Sequence, residues 1–189
     1  MTEQDLLLDC LQRLNRSGVE YMLTGSMASN YWGIPRTTHD LDFVVQLPQE
    51  AVGRLIHEFD RDFYLDEAAV RAALGPPYQF NAIDLRSALK VDFWVLKRDL
   101  FEEGIFERRL RTVLFGEPSW IATAEDVILH KLRWDTITPS ERQLGDAAGI
   151  VAVQADRLDL VHLRRWAARL GVTGTMEDLL AHRIRPKGT

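Results

Sequence analysis

Two aspartates separated by one residue, Asp40 and Asp42, are the first residues of this chain that could do chemistry. Hydrophobic residues alternate with them, and the pattern predicts a β-strand over 39–45. Successive strand side chains point to opposite faces, so both carboxylates share one face. The two carboxylates repel each other unless a positive charge lies nearby. A divalent cation that prefers oxygen ligands can supply that charge. Two simpler interpretations stay open: a solvated strand end, or an ion pair with Arg36.

A third carboxylate, Asp92, lies in a second alternating segment, 89–95. Its hydrophobic residues share one face, which places Asp92 on the other face of what looks like an internal strand. Aspartate is a poor strand former, so a functional reason is expected for it there. If the two strands are neighbours, three carboxylates converge, as in sites that hold two metal ions for phosphoryl or nucleotidyl transfer. Trp94 shares the Asp92 face and could stack on a base or close the core.

Gly25-Ser26 follows a short hydrophobic strand and opens a helix. Glycine lets backbone N–H groups approach an anion, the helix N-terminus favours negative charge, and the Ser26 hydroxyl adds a donor. The junction is common when taken alone. Beside the three acids it predicts a phosphate-binding turn facing a metal site.

Elements that position these residues follow from hydrophobic spacing and from capping residues. The predicted strands are 19–24, 39–45, 78–84 and 89–95, and the predicted helices are 2–18, 25–33, one from Pro48, 66–75, 124–137, 140–154, 159–170 and 176–184. A turn at Gly116 joins two short extended segments. The fold class is therefore α/β (α+β), with a core over 1–121 and a helical C-terminal subdomain over 122–189.

The composition of the chain excludes some classes of function. The chain has 189 residues, 46% of them hydrophobic, a net charge of −5 and one cysteine, which excludes an internal disulfide and a multi-cysteine zinc site. No apolar run is long enough for a membrane span, and the N-terminus is acidic, so we expect a cytoplasmic protein. Residues 151–189 carry seven Lys or Arg against four Asp or Glu. That local excess is either a solvated helix face or a small basic surface for a polyanion.

The order Gly25-Ser26, Asp40-x-Asp42 and Asp92 resembles the signature of the polymerase-β-type nucleotidyltransferase superfamily. Its spacer of thirteen residues is at the long end of the family's range, and the resemblance covers 19–95. It implies a short mixed sheet flanked by helices. It also implies that the three aspartates bind Mg²⁺, as two ions, that Asp92 acts as base, and that Gly25 and Ser26 hold the triphosphate.

A narrower resemblance involves the run 34–42, His130-Lys131-Leu132 and a helix with Arg142 and Asp146. These segments are similar to abortive-infection-type nucleotidyltransferases, which include toxins of toxin–antitoxin pairs. The likeness implies that Lys131 contacts the triphosphate, that Asp146 lines the same cleft and orients Lys131, and that an antitoxin partner exists. Lys131 could instead be solvated and Asp146 a surface acid. Arg36 could contact phosphate or offset the paired acids.

The function predicted from these resemblances is transfer of a nucleoside monophosphate from a nucleoside triphosphate such as ATP to an acceptor hydroxyl, with release of pyrophosphate. An RNA or protein acceptor predicts a basic rim, for which the candidates are Arg164, Arg165, Arg169, Arg183 and Arg185. A small-molecule acceptor, as in antibiotic adenylyltransferases, predicts an acidic pocket. A non-catalytic nucleotide-binding regulatory module is the third hypothesis.

Overall fold

The computed structural model describes residues 2–186 and divides into two compact units. The first contains the residues up to Thr24 together with His39–Ala122. The second contains Gly25–Thr38 together with the residues from Thr123 onward. The predicted boundary after 121 lies next to the end of the first unit, but the segment 25–38 clusters with the C-terminal helices rather than with the core.

The first unit holds a seven-stranded mixed sheet and four helices. Its strands are β1 (Glu20–Thr24), β2 (Leu41–Gln46), β3 (Phe63–Tyr64), β4 (Gln79–Asp84), β5 (Lys90–Val95), β6 (Leu110–Leu114) and β7 (Glu117–Ile121). Its helices are α1 (Glu3–Ser17), α3 (Val52–Phe59), α4 (Glu67–Ala72) and α5 (Leu100–Arg108). The predicted α/β class with a mixed sheet flanked by helices is confirmed.

Strand order in this sheet is β3-β4-β5-β2-β1-β7-β6. β2 pairs in parallel with β5 and antiparallel with β1, so β2 and β5 are both internal strands. Internal strands need a well-covered apolar face. That face is built around Phe93 of β5, whose ring centroid lies 5.8 Å from Phe43, 5.0 Å from Phe80 and 5.5 Å from Phe59 of α3.

The second unit is helical. Its helices are α2 (Gly25–Trp32), α6 (Ala124–Ile137), α7 (Glu141–Gln154), α8 (Leu160–Leu170) and α9 (Thr173–Leu180). Thr123 caps α6 by accepting a hydrogen bond from the backbone N–H of Asp126, as the cap motif predicts. A buried His162–Asp126 pair, 2.8 Å apart, joins α8 to α6.

The predicted and the observed elements differ in several places, among them the unpredicted short strand β3. β2 begins at Leu41 rather than at residue 39, so Asp40 and His39 precede the strand. The helix Leu100–Arg108 was not predicted; Gly104 and the exposed Leu100 weaken its amphipathic pattern. The last helix begins at Thr173, three residues earlier than predicted.

Two further findings bear on the function classes. Between residues 2 and 186, no helix combines the length and the apolar composition that a membrane crossing requires. Cys10 is completely buried on α1, and burial raises the pKa of its thiol. A protonated, inaccessible thiol is a poor nucleophile, so Cys10 is a core residue.

Candidate active site

Asp42 and Asp92 lie side by side on the sheet. They are register partners on the parallel strands β2 and β5, which neighbouring-strand geometry places about 4.8 Å apart. Their flanking residues Phe43 and Phe93 are buried on the opposite face. The two carboxylates therefore share one face of the sheet, as the alternation predicted. We call Asp40, Asp42 and Asp92 the acid set.

Asp92 is largely enclosed. Its side chain is 14% exposed, and its Oδ2 accepts an ion-pair contact from Nζ of Lys90 at 2.7 Å. Its Oδ1 is buried and has no hydrogen-bond partner within the described residues 2–186. A buried carboxylate oxygen without a partner is costly, so Asp92 retains unused capacity to bind a cation.

Lys90 is a site residue that the sequence prediction missed. It lies two residues before Asp92 on β5, and this period-two spacing along the strand was the available signal. Its hydrogen bond to Asp92 raises the pKa of Lys90, and the charges of Asp92, Asp42 and Asp40 act in the same direction against partial burial. All three carboxylates of the acid set thus stabilise the charged form of the Lys90 ammonium group.

Trp94 also shares this face, and its indole Nε1–H donates to Oδ1 of Asp42 over 3.4 Å. The ring is partly buried beside the acids. The contact is long for a hydrogen bond, so it orients Asp42 only weakly. Neither of the two predicted roles of Trp94, base stacking or core closure, included this contact.

A magnesium site built on these acids is compatible with what the structure offers. Across residues 2–186 there is no group of three or more His, Cys, Asp or Glu side chains gathered to hold a metal. Mg²⁺, however, usually takes one or two protein carboxylates and completes its shell with waters and substrate phosphates. Asp42 and Asp92 supply such a pair of hard oxygen donors, with Oδ1 of Asp92 unpartnered. The residues present therefore fit Mg²⁺ bound together with a polyphosphate.

The second unit contains a buried cluster of charged residues, which we call the cationic cluster: Arg36, Lys131, Asp146 and Ser26. Arg36 binds Asp146 through two hydrogen bonds, from Nε to Oδ1 at 2.7 Å and from a terminal nitrogen to Oδ2 at 2.9 Å. Lys131 of α6 contacts the same carboxylate at 2.8 Å. Two cations on one carboxylate leave these three side chains with a net charge of +1.

Burial distinguishes this cluster from a surface ion pair. The side chains of Asp146 and Lys131 are 7% and 8% exposed. Burial opposes ionisation of Asp146, but the hydrogen bonds and charges of Arg36 and Lys131 outweigh it, so the pKa of Asp146 is lowered. The interpretations of Lys131 as a solvated residue and of Asp146 as a plain surface acid are therefore wrong.

Arg36 is held in place by contacts of its own backbone. Asn30 of α2 donates from its side-chain amide to the carbonyl of Arg36 at 2.7 Å and accepts from the Arg36 N–H at 3.1 Å. The chain then runs close against α7, where a Cβ added at Gly33 would meet the backbone nitrogen of Ile150 at 2.8 Å. These two features bring Arg36 to Asp146, 110 residues further along the chain.

Ser26 and Gly25 are the remaining predicted site residues of the second unit. Gly25 has φ = +64°, a left-handed conformation that favours glycine, and it begins α2 directly after β1. The buried Ser26 accepts a hydrogen bond from Arg36 at 2.9 Å through its Oγ. Because Oγ accepts from Arg36, the hydroxyl hydrogen of Ser26 can donate to an anion.

The sequence predictions for these residues can now be compared with their positions. Asp42 and Asp92 are adjacent, Asp40 precedes the strand and is exposed, and Ser26, Arg36, Lys131 and Asp146 are brought together in the second unit. The contacts of Arg36 with Asp146 and Ser26 belong to neither of the two roles considered for it. The ligand and catalytic roles themselves stay predictions.

Comparisons with known proteins identify the fold. No family model and no curated protein sequence matches the chain. Among solved structures, the solution structure of the antibiotic-resistance factor ANT(2'')-Ia is similar with a TM-score of 0.54 and 15% identity, over 95% of this chain and 90% of the other. An antigenic nucleotidyltransferase-like protein from Paracoccidioides brasiliensis matches with a TM-score of 0.54 and 14% identity, over 98% and 94% of the two chains.

A crystal structure of ANT(2'')-Ia in complex with adenylyl-2''-tobramycin is also similar. Its TM-score is 0.52 and its identity 16%, over 96% of this chain and 97% of the other. At such identities the likeness shows the fold alone. The chain therefore shares the fold of these structures, which is the fold that the broader of the two resemblances implied. The narrower one, to toxin-type members, stays a prediction.

Proposed function

We propose that this protein is a Mg²⁺-dependent nucleotidyltransferase that moves a nucleoside monophosphate from a nucleoside triphosphate to an acceptor hydroxyl. The observation that carries the proposal is the Asp42–Asp92 pair, in register on two internal strands, with the buried Oδ1 of Asp92 unpartnered. A buried carboxylate oxygen without a partner is costly, and a bound cation would offset that cost.

In this proposal Asp40, Asp42 and Asp92 hold the metal. A Mg²⁺ ion held there would neutralise triphosphate charge and polarise the reacting phosphoryl group. Asp92 also accepts the proton of the acceptor hydroxyl, whose oxygen then attacks the α-phosphorus. The bond from that phosphorus to the bridging oxygen breaks, and pyrophosphate leaves with its electron pair. Enclosure of Asp92 supports the base role, because it fixes the carboxylate in one position.

The cationic cluster is proposed to contact the triphosphate. Its net charge of +1 and its fixed donors suit a polyanion better than a neutral ligand. Asp146 is the positioning residue of the cluster, since it holds both Arg36 and Lys131. The Ser26 hydroxyl and the backbone N–H groups after Gly25 supply further donors at the start of α2.

A small molecule with a hydroxyl group is the acceptor that we favour. ANT(2'')-Ia, whose structure includes adenylyl-2''-tobramycin, matches over nearly the full length of both chains. The charge of the chain fits a cationic acceptor, because the first 150 residues carry a net −8. An antibiotic of the aminoglycoside type has both features, hydroxyl groups and positive charge.

RNA or protein is the second candidate acceptor, as in the toxin-like interpretation with an antitoxin partner. The C-terminal excess of arginines is the feature that favours it. Two of the five arginines are already neutralised, however, because Arg164 pairs with Glu177 and Arg183 pairs with Asp178. This pairing weakens the basic rim that a polyanionic acceptor requires.

The experiment is an acceptor screen with four α-³²P-labelled nucleoside triphosphates and Mg²⁺. The acceptors are a panel of aminoglycosides, total RNA and cellular protein, each with wild type, Asp42→Asn and Asp60→Asn. Asp60 is an exposed acid outside the acid set and serves as the matched control. We expect label transfer to an aminoglycoside that Asp42→Asn abolishes and Asp60→Asn leaves intact.

If the label appears on RNA or protein instead, the favoured small-molecule acceptor is wrong, but the protein is still a nucleotidyltransferase. Binding of nucleotide without transfer to any acceptor would favour the non-catalytic regulatory module. Transfer that persists in Asp42→Asn would show that the acid set is not the active site.

A further inference from the structure

Lys90 is a charged residue of the acid set's own face to which neither the resemblance nor the proposed function assigns a role. It is the first residue of β5, and period-two alternation places it beside Asp92 and Trp94. Its Nζ lies 2.7 Å from Oδ2 of Asp92. The Lys90 ammonium group occupies one of the two Asp92 carboxylate oxygens, and its positive charge repels a metal ion bound to the other, so the two cations compete.

The two partners of this ion pair differ in their freedom to move. The Lys90 side chain is 53% exposed, whereas the Asp92 side chain is 14% exposed. Lysine carries its charge on a flexible four-carbon stem, and an exposed ammonium group is readily hydrated. Asp92 lies in the middle of an internal strand between its register partners Asp42 and Asn81. Lys90 is therefore the partner that can leave.

The position of Lys90 also favours its ion pair with Asp92 when no metal is bound. Asp42 and Asp92 project from neighbouring strands on one face, and Asp40 precedes β2 by one residue. Like charges at this spacing repel each other, and a nearby ammonium group offsets that repulsion. A residue that both compensates the acids and can be displaced acts as a replaceable counter-ion.

We propose that Lys90 is a built-in counter-ion that occupies Asp92 until a divalent cation displaces it. The inference rests on the proposed function, because it requires the acid set to bind metal. Its consequence is that a divalent cation alone binds weakly. A cation that arrives with a nucleoside triphosphate binds more tightly, since the phosphates add ligands. Lys90 thereby couples metal loading to nucleotide binding.

The test is a titration with Mn²⁺ alone, without nucleotide, followed by electron paramagnetic resonance of the unbound ion. The full chain is compared with Lys90→Met, which removes the charge, and with Lys90→Arg, which keeps it. Lys97→Met is the matched control, because Lys97 is an exposed lysine just beyond the other end of β5. It measures the general effect of one lost positive charge.

We expect Lys90→Met to lower the Mn²⁺ dissociation constant by roughly three- to tenfold, the range for a partly exposed ion pair. Lys97→Met should change it by less than about twofold, because screening weakens distant charges. Lys90→Arg should stay near wild type. If Lys90→Met does not fold, Lys90→Gln takes its place. Equal affinities for Lys90→Met and Lys97→Met would overturn the inference.

Asp92→Asn separates this inference from the proposed function. Mn²⁺ binding that is lost in Asp92→Asn but unchanged in Lys90→Met overturns only the counter-ion role. Binding that is unaffected by Asp92→Asn, or that is absent from wild type and Lys90→Met alike, overturns the metal site itself and the counter-ion role with it.

Discussion

The acid set and the cationic cluster differ in how completely their enclosed carboxylates are paired with positive charges. In the cationic cluster, Asp146 is bound by both Arg36 and Lys131, and its pKa is lowered despite burial. In the acid set, Asp92 shares one ion pair with a half-exposed lysine, and its Oδ1 is without a partner in the described chain. The first arrangement stabilises the protein, and the second leaves capacity for a ligand.

This contrast predicts that substitutions in the two sets differ in their cost in stability. Removing one member of a buried ion-pair cluster is destabilising, because it leaves an uncompensated buried charge. Residues that are left partly unsatisfied serve ligand binding at some cost in stability, so replacing them should not destabilise the fold.

The largest effect is expected for Asp92→Asn on label transfer. A metal ligand and base contributes several kcal/mol to the transition state, and each 1.36 kcal/mol is about tenfold in rate. We therefore predict a loss of about a thousandfold in kcat/KM, with a urea midpoint no lower than that of wild type. Asp60→Asn is the control. A large drop in stability instead would make Asp92 a folding residue like Asp146.

Asp146→Asn, in contrast, is expected to lower the stability of the fold. It leaves Arg36 and Lys131 buried without their shared carboxylate, and breaking a buried ion pair of this kind costs about 3 kcal/mol. Urea unfolding measures this loss. Glu177→Gln, which removes the exposed partner of Arg164, should hardly move the urea midpoint. Equal losses in the two variants would contradict the satisfied-cluster interpretation.

Low pH should narrow the difference in stability between wild type and Asp146→Asn. The folded-state pKa of Asp146 is lowered, so its contribution is fully present above its unfolded pKa of about 3.9. It is lost as the pH falls through the lower folded-state pKa, where the unfolded state already binds the proton. Urea unfolding of both proteins at pH 6 and at about pH 3 tests this sign. A difference that grows in acid would contradict it.

Lys131→Met should weaken nucleotide binding by about tenfold, because it removes one charged donor and leaves Arg36 on Asp146. Mn²⁺ binding without nucleotide should be unchanged. A titration with a fluorescent nucleoside triphosphate measures the first quantity, with Lys97→Met as the charge control. Weaker Mn²⁺ binding in Lys131→Met would remove the distinction between the two sets.

The sequence predicted the acid set better than the cationic cluster, for a physical reason. Alternation along a strand places Asp92 opposite Phe93 and its apolar neighbours, so its face can be read locally. The contact between Arg36 and Asp146 spans 110 residues and depends on the packing of α7 near Gly33. Such a contact has no local pattern, and only a resemblance connected Asp146 with a site.

Lys90 shows a different limit of sequence reasoning. Its spacing from Asp92 was visible, but a lysine at the start of a strand is usually a solvated end, and only the 2.7 Å contact shows that it pairs with Asp92. In the same way, the strand predicted from residue 39 begins at Leu41, because alternation does not mark where pairing starts.

Calorimetric titration of nucleoside triphosphate, with and without Mg²⁺, tests the central claim most directly. The claim is that Asp42 and Asp92 bind a metal ion together with a nucleoside triphosphate. It predicts that Mg²⁺ tightens binding by at least about tenfold in wild type and has no effect in Asp92→Asn. Nucleotide affinity that is the same with and without Mg²⁺ in wild type would contradict it.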